Sequence, residues 1–437
     1  MAAACVYMLN LYPVLDGVVV RQIDAHPPAP TVIFVVMDTV RADHTSLCGY
    51  ERPTTPTLSR LVDQGASASC QARTPGAWTV PSHASYFTGV PVPEHRADAV
   101  RLASSDGARP GWRTQGLGPD LPTLAEQLQA RGYQTRLISG NSLLNADLGL
   151  SRGFQSTSIA SPAEQIVKML DDLSADRPLF LFVNLFEAHE PRPPPPVGLR
   201  WAPTRWRGSM RPLNPSSAWA RYVDGQMPAE EAEQYLARVT DGYDYGVWRA
   251  DAALDRVLWA LEASGWLSAG YRLAITSDHG ELLGEHGLLE HGCYLWEALT
   301  RVPLLVYSSE GTPPVPPGPI SATEVHHFVL EGRFQSTRLP VQAYGLPVWW
   351  RQAFDDRVGA SRNAAIWRDD QKLLWTDGRL ARYNLRDDPD ELHPLPLEDP
   401  DDAAALRQAG AALDVFLGGG PLAPEVVEAL RAAGYLE

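Results

Sequence analysis

The sequence predicts an α/β protein, a layered fold around a central, mostly parallel sheet flanked by helices, with a small antiparallel sheet appended at the C-terminal end. Three observations carry this reading. Short apolar, β-branched runs recur along the chain, helical patterns stand between them, and beyond about residue 320 the alternation gives way to three strand-like segments joined by turns.

Thr31–Met37 (TVIFVVM) is a continuous apolar run too short for a typical helix and ended by Asp38, the pattern of a strand buried on both faces. Similar runs follow at Thr135–Ser139, Leu179–Leu185, Arg272–Thr276 and Val302–Tyr307. Between them, Leu121–Arg131 and Val247–Ser264 place apolar residues three and four apart, with Pro122 tolerable in a first turn and Gly132 and Gly265 as C-terminal caps. Pro191–Pro196 and Pro313–Pro319 read as stiff loops. Near the end, Ala364–Arg368, Lys372–Trp375 and Ala381–Leu385 read as strands, with turns at Asp369-Asp370 and Asp377-Gly378. The division expected is an N-terminal extension over 1–30, the main α/β domain over 31–320 and a C-terminal subdomain over 321–437.

Composition narrows the function classes. Hydrophobic residues make up 44% and charged residues 20%, which excludes disorder and a helical membrane bundle. The 37 basic against 52 acidic residues leave a net charge of −15, a field that repels nucleic acid. Lys168 and Lys372 are the only lysines. Cys5, Cys48, Cys70 and Cys293 show no CxxC spacing and no disulfide framework, and they do not fix the compartment. The first twenty residues lack a basic n-region and are broken by Pro13 and Asp16, so no export signal or membrane span is expected in them.

In layered α/β folds ligands bind beyond the carboxyl ends of the strands. Asp38, His189 and the pair Asp278-His279 stand at such ends; any single carboxylate there could equally cap the next helix. The adjacent Asp278 and His279 favour a metal site, because Gly280, Gly284 and Gly287 let an irregular loop turn both side chains to one ion. Oxygen and imidazole donors without thiolate suit one divalent ion such as zinc, manganese or calcium. A second metal has no convincing ligand motif, although His286 and several aspartates are available. Trp78-Thr79-Val80-Pro81-Ser82-His83 reads as a helix start, with Thr79 either a simple cap or a nucleophile activated by the metal.

Together these segments resemble the sulfatase family of the alkaline phosphatase superfamily. The resemblance rests on Asp38–His44 with Gly49-Tyr50, Pro53–Leu58, Trp78–His83, His189–Pro191, Ser277–Glu281 and His291-Gly292 with Arg301–Leu305, in order over residues 31 to 310. The tail, Lys372–Leu385 with Asp387–Glu391 and a terminal helix at Leu430–Leu436, is similar as well. The resemblance implies an alkaline-phosphatase-like catalytic domain. It implies Asp38, Asp278 and His279 as metal ligands, Thr79 as a nucleophile that also contacts the metal, and His189 and His291 as residues that touch the transferred group or protonate the leaving oxygen. Asn141 is an oxyanion contact in this reading. His291 can also be read as a surface-loop histidine.

Departures from the family pattern matter. Where formylglycine sulfatases carry Cys-x-Pro-Ser-Arg, this chain has Thr79-Val-Pro-Ser-His83, so the arginine position is His83 and no convertible Cys or Ser is present. The expectation is therefore an anionic ester substrate, phosphodiester or phosphonate ester in preference to sulfate ester, on a glycan or lipid head group. A sulfuric ester hydrolase without formylglycine, or a non-catalytic binding scaffold, would be the alternatives. The arginines and tryptophans from Arg192 to Arg211, including Trp201 and Trp206, suit an anionic or sugar-bearing ligand, or form only a surface loop. Relatives are often extracytoplasmic.

Overall fold

A computed structural model describes residues 22–23, 27–101, 112–196, 199, 218–292, 294–335, 341–345 and 362–416. In chain order the strands are β1 (Thr31–Met37), β2 (Ser67–Arg73), the hairpin β3 (Asp98–Arg101) and β4 (Trp112–Gln115), β5 (Gln134–Ser139), β6 (Ser156–Ile159), β7 (Leu179–Leu185) and β8 (Tyr271–Thr276). There follow the short pair β9 (Leu282–Leu283) and β10 (Leu289–Glu290), then β11 (Arg301–Ser308), β12 (Ile320–Ser321), β13 (Gln342–Gly345), β14 (Asn363–Arg368), β15 (Gln371–Thr376) and β16 (Arg379–Asn384).

Eight strands form the central sheet in the order β12-β2-β11-β8-β1-β7-β5-β6. β1 lies between β8 and β7, parallel to both, and every residue of β1 and β7 is buried, as continuous apolar strands require. The sheet is mixed. β11 runs antiparallel to β8 and to β2, so the run predicted at Val302–Tyr307 is a strand, but not a parallel one. Its ladder to β2 shifts between Val302 and Leu304, around Pro303, which has no N–H to donate. β2, whose sequence SASCQAR lacks an apolar run, is an added strand that local pattern did not reveal.

The helices are largely as read, with shifted ends. Pro122 stays outside the first helical turn: the helix Leu124–Ala130 starts after Thr123, which makes a capping box with Glu126. The helix expected from Val247 begins at Ala229 and runs to Ala263. Gly132 and Gly265 take φ of 90° and 86°, as C-terminal caps do.

The C-terminal sheet is antiparallel, β13-β14-β15-β16, with the three expected strands and their two tight turns, plus β13. A buried polar junction ties it to the main domain. Lys372 Nζ donates to the Leu295 carbonyl and pairs with Glu391, Trp367 Nε1 donates to Glu297 (2.7 Å), and Arg73 pairs with Glu297 (2.6 Å). Cys48 and Cys70 form a disulfide that sequence spacing did not indicate; it links the loop after β1 to β2. Cys5, Cys293, most of residues 1–30, Trp201, Trp206 and the terminal helix at 430–436 lie outside the described residues. Among the described residues no helix is long and apolar enough to cross a membrane.

Candidate active site

The register of the sheet assembles the site. Val36 faces Asn184 of β7 on one side and Thr276 of β8 on the other, so the residues that follow these parallel strands emerge side by side at one edge. Asp38 leaves β1, Asp278 and His279 leave β8, His189 follows β7, and Asn141 follows β5. All five side chains are buried.

Asp38, Asp278 and His279 bring one ligand atom each within 4.8 Å of one another. In each residue one atom is tied and the other is left open. Asp38 Oδ2 accepts from Asn141 Nδ2 (3.0 Å) and Asn184 Nδ2 (3.1 Å), whereas Oδ1 has no hydrogen-bond partner. Asp278 Oδ1 accepts from the Thr39 and His279 amides (3.3 and 3.1 Å), whereas Oδ2 has none. His279 Nδ1 donates to the Gly280 carbonyl (2.9 Å), leaving Nε2, 3.8 Å from Asp38 Oδ1 and 3.4 Å from Asp278 Oδ2. Buried polar atoms without partners are costly, and three of them converging is the arrangement a divalent cation satisfies. The donor set therefore fits the expected ion. Burial pushes both carboxyls up to about 7, with the Asp278 charge adding to the effect at Asp38, and burial lowers His279. A bound cation reverses that order of preference.

Backbone geometry serves this cluster. Thr39 has φ of 62°, unusual for a β-branched residue, and is held by Tyr243, whose hydroxyl donates to the Thr39 carbonyl (2.6 Å) and accepts from the Arg41 amide (2.8 Å). Gly280 has no room for a side chain: a Cβ there would sit 2.0 Å from the Ala298 carbonyl oxygen.

Thr79 is the first residue of the helix Thr79–Thr88, which follows Trp78 as cap residue. It is fully buried, and its Oγ1 accepts from Asn141 Nδ2 (3.0 Å), the same amide that holds Asp38. Leu143 N donates to Asn141 Oδ1 (3.0 Å), which fixes the amide with its N–H2 toward both partners. Tyr86 of the same helix donates to the Ser277 carbonyl (2.7 Å) and so locks helix and Asp278 loop together.

The histidines divide. His291 is buried, not on a surface loop; its Nδ1 lies 3.0 Å from Glu281 Oε1 and its ring 4.2 Å from that of His279 and 5.0 Å from that of His189. His189 stacks on Phe186 and its Nδ1 donates to the Glu190 carbonyl. His83 donates from Nδ1 to the Thr79 carbonyl (2.9 Å), with the same nitrogen 3.5 Å from Asp278 Oδ2, packs near Phe87 and Phe182, and is held neutral, with burial pushing it down to about 3. It cannot supply the positive charge of an arginine at that position. Arg192, expected at the start of a recognition loop, is buried on Tyr243 and paired with Glu190 (2.7 Å).

Asn184 and Glu281 escaped sequence reasoning. Asn184 is a lone polar residue in LFLFVNL, and Glu281 closes the Ser277–Glu281 motif; both positions were visible, without a partner to give them meaning.

The chain belongs to the sulfatase family: the sulfatase family model matches residues 30–331. Over shorter stretches the chain is 33% identical to mouse iduronate 2-sulfatase (143 residues, 32% of this chain and 24% of the relative). It is 23% identical to the Escherichia coli phosphatidylethanolamine transferase Mcr-1 (304 residues, 65% of this chain and 48% of the relative). The chain thus spans about a quarter to a half of the length of these curated relatives. Among solved structures, the phosphonate monoester hydrolase of Agrobacterium radiobacter shares the fold, with a TM-score of 0.58 at 17% identity, covering 89% of this chain and 95% of that one.

Proposed function

We propose that this chain is a metal-dependent transferase or hydrolase of anionic esters that uses Thr79 as its nucleophile and prefers phosphodiesters or phosphonate esters to sulfate esters. The observation that carries the reading is the single Asn141 amide that holds both Thr79 Oγ1 and Asp38, joining the hydroxyl to the three converging ligand atoms. A divalent ion held by Asp38, Asp278 and His279 would acidify a neighbouring hydroxyl and offset charge on the oxygens of the transferred group.

The chain's own groups supply the rest. Asn141 donates to Thr79 Oγ1 and so favours the oxygen as its proton passes to water. The first-turn amides of the Thr79–Thr88 helix carry the positive end of the helix dipole toward the anionic group. As the Thr79 oxygen bonds to phosphorus, the bond to the leaving alcohol breaks, and the leaving oxygen takes a proton from His291 Nε2. Glu281, on Nδ1 of the same ring, orients it. Water or an alcohol acceptor then attacks the phosphothreonine and gives its proton back to His291 Nε2 as the bond from phosphorus to the Thr79 oxygen breaks, and that oxygen regains a proton from water.

Phosphorus is favoured over sulfur by residue chemistry. Threonine is not a formylglycine precursor and His83 is neutral. Lys168 is exposed on the helix Pro162–Asp171, and Lys372 is consumed in the C-terminal junction, so no lysine reaches the site. The test is a parallel assay of wild type and Thr79→Ala, loaded with manganese, zinc or calcium, on an aryl phosphodiester, phosphonate monoester, phosphomonoester and sulfate. Metal-dependent turnover of the diester or phosphonate, lost in Thr79→Ala, is expected. A dominant sulfate activity would overturn the substrate assignment, and no bound metal would favour a scaffold.

A further inference from the structure

We infer that Asn184 is a positioning residue for the metal: its carboxamide pins one oxygen of Asp38 so that the other faces the ion. The inference rests on the metal site proposed above.

Asn184 is the one polar residue in β7 and is fully buried, opposite the apolar Val36 of β1. A leucine at this point of the strand would pack without leaving a polar group to satisfy, so fold alone gives no reason for an amide. Its Nδ2 donates to Asp38 Oδ2 (3.1 Å), and its Oδ1 lies 3.3 Å from the Ser139 hydroxyl, which shares its hydrogen between that oxygen and the Asn141 carbonyl (2.9 Å). Ser139 thereby sets which end of the Asn184 amide points to Asp38.

Asn141 donates to the same carboxylate oxygen, yet the two amides are not interchangeable. Asn141 divides its two hydrogens between Asp38 Oδ2 and Thr79 Oγ1, and so links ligand to nucleophile. Asn184 reaches Asp38 without touching Thr79 in any hydrogen bond of this cluster. The final torsion of an aspartate is broad, so a carboxylate with one donor turns more freely than one held by two. Two donors on Oδ2 keep Oδ1 aimed at His279 Nε2, 3.8 Å away, with Asp278 Oδ2 alongside. Removing Asn184 should weaken the site's hold on an ion while leaving the Asn141–Thr79 contact in place. Partners of metal ligands at this remove are typically worth about 10–100-fold in affinity.

The experiment titrates metal-stripped, full-length wild type, Asn184→Leu and Asn184→Ser with Zn²⁺ and with Mn²⁺ against a competing chromophoric chelator. Circular dichroism and melting in chelator check that each variant is folded. Leucine keeps the branched shape without the donor; serine is small enough to fold if leucine is not accepted. The expected result is one ion per wild-type chain, an affinity about 10–100-fold weaker in both variants, and turnover that returns toward wild type when the ion is raised to saturation. Folded variants that bind the ion as tightly as wild type would overturn the role of Asn184 and leave the metal site standing. A wild type that binds no ion would overturn the site, and this inference with it.

Discussion

Replacing Asp98 by asparagine should shift stability toward the variant as pH rises. Asp98 lies on β3, fully buried; its Oδ1 accepts from Trp78 Nε1 and from the Ala99 amide, both at 2.7 Å, while Oδ2 has no partner. Trp78 directly precedes Thr79, so this contact ties the hairpin to the start of the nucleophile helix. Loss of water raises the carboxyl and the two N–H donors lower it. Burial wins, and the group is pushed from its ordinary 3.8 up to about 7. For an acid raised in the folded state, the stabilising contribution is complete below the unfolded value, near pH 3.8. It is lost as pH climbs toward 7, because the unfolded chain releases its proton first. At about 1.4 kcal/mol per pH unit, the loss by pH 8 reaches about 4 kcal/mol. Asparagine keeps the oxygen that accepts both bonds and never ionises. The fixed cost of its buried N–H2 cancels when two pH values are compared. Urea unfolding of both proteins at pH 4 and pH 8 should show the variant gaining up to about 4 kcal/mol on wild type over that interval. A difference between the two that does not change with pH would mean that the indole and amide donors hold Asp98 as an ordinary carboxylate, and the argument from burial would fail.

Lys372→Met should cost about 3–5 kcal/mol in urea unfolding, because it strands the buried Glu391 carboxylate, and Glu391→Gln added to it should recover part of the loss. An additive double variant would remove the pair from the account of how the C-terminal sheet is attached. Cys48→Ser with Cys70→Ser should destabilise the protein by about 3 kcal/mol, since the disulfide closes a loop with a sequence separation of 22, and ligand-free melting with and without reductant measures it.

Much of the fold was legible because its central strands are unbroken apolar runs: β1 and β7 were read to the residue. What was not legible has physical reasons. β2 is built of small and polar residues, half-exposed along most of its length, and becomes a strand only because β11 and β12 flank it. The direction of β11 is set by its neighbours and leaves no trace in a two-residue period. The long helix extends upstream of the Val247 start that its apolar spacing marks, to Ala229 and through Gly246. At Gly246 glycine is needed because a Cβ would lie 2.8 Å from the Glu187 carbonyl oxygen.

The candidate site was legible where chemistry stands at strand ends, as with Asp38, Asp278, His279 and His189. Asn141 was found there too, but its double contact could not be read from one chain position. Asn184 was hidden by the apolar strand around it, and Glu281 by lacking a partner until the fold brought His291 to it. His83, which stands at the arginine position of the family pattern, lies with Nδ1 on the Thr79 carbonyl and 3.5 Å from Asp278 Oδ2, a placement that its position in the sequence did not specify.

The central claim, that Thr79 takes the transferred group, is tested most directly by trapping it. Metal-loaded protein mixed with an aryl phosphodiester and quenched in acid within the first turnovers should yield a phosphoester adduct on the peptide containing Thr79, read by mass spectrometry. Neither adduct nor turnover should occur in Thr79→Ala. Turnover that persists in Thr79→Ala, with wild type carrying no adduct at residue 79, would contradict the account and assign the attack to water or to another group.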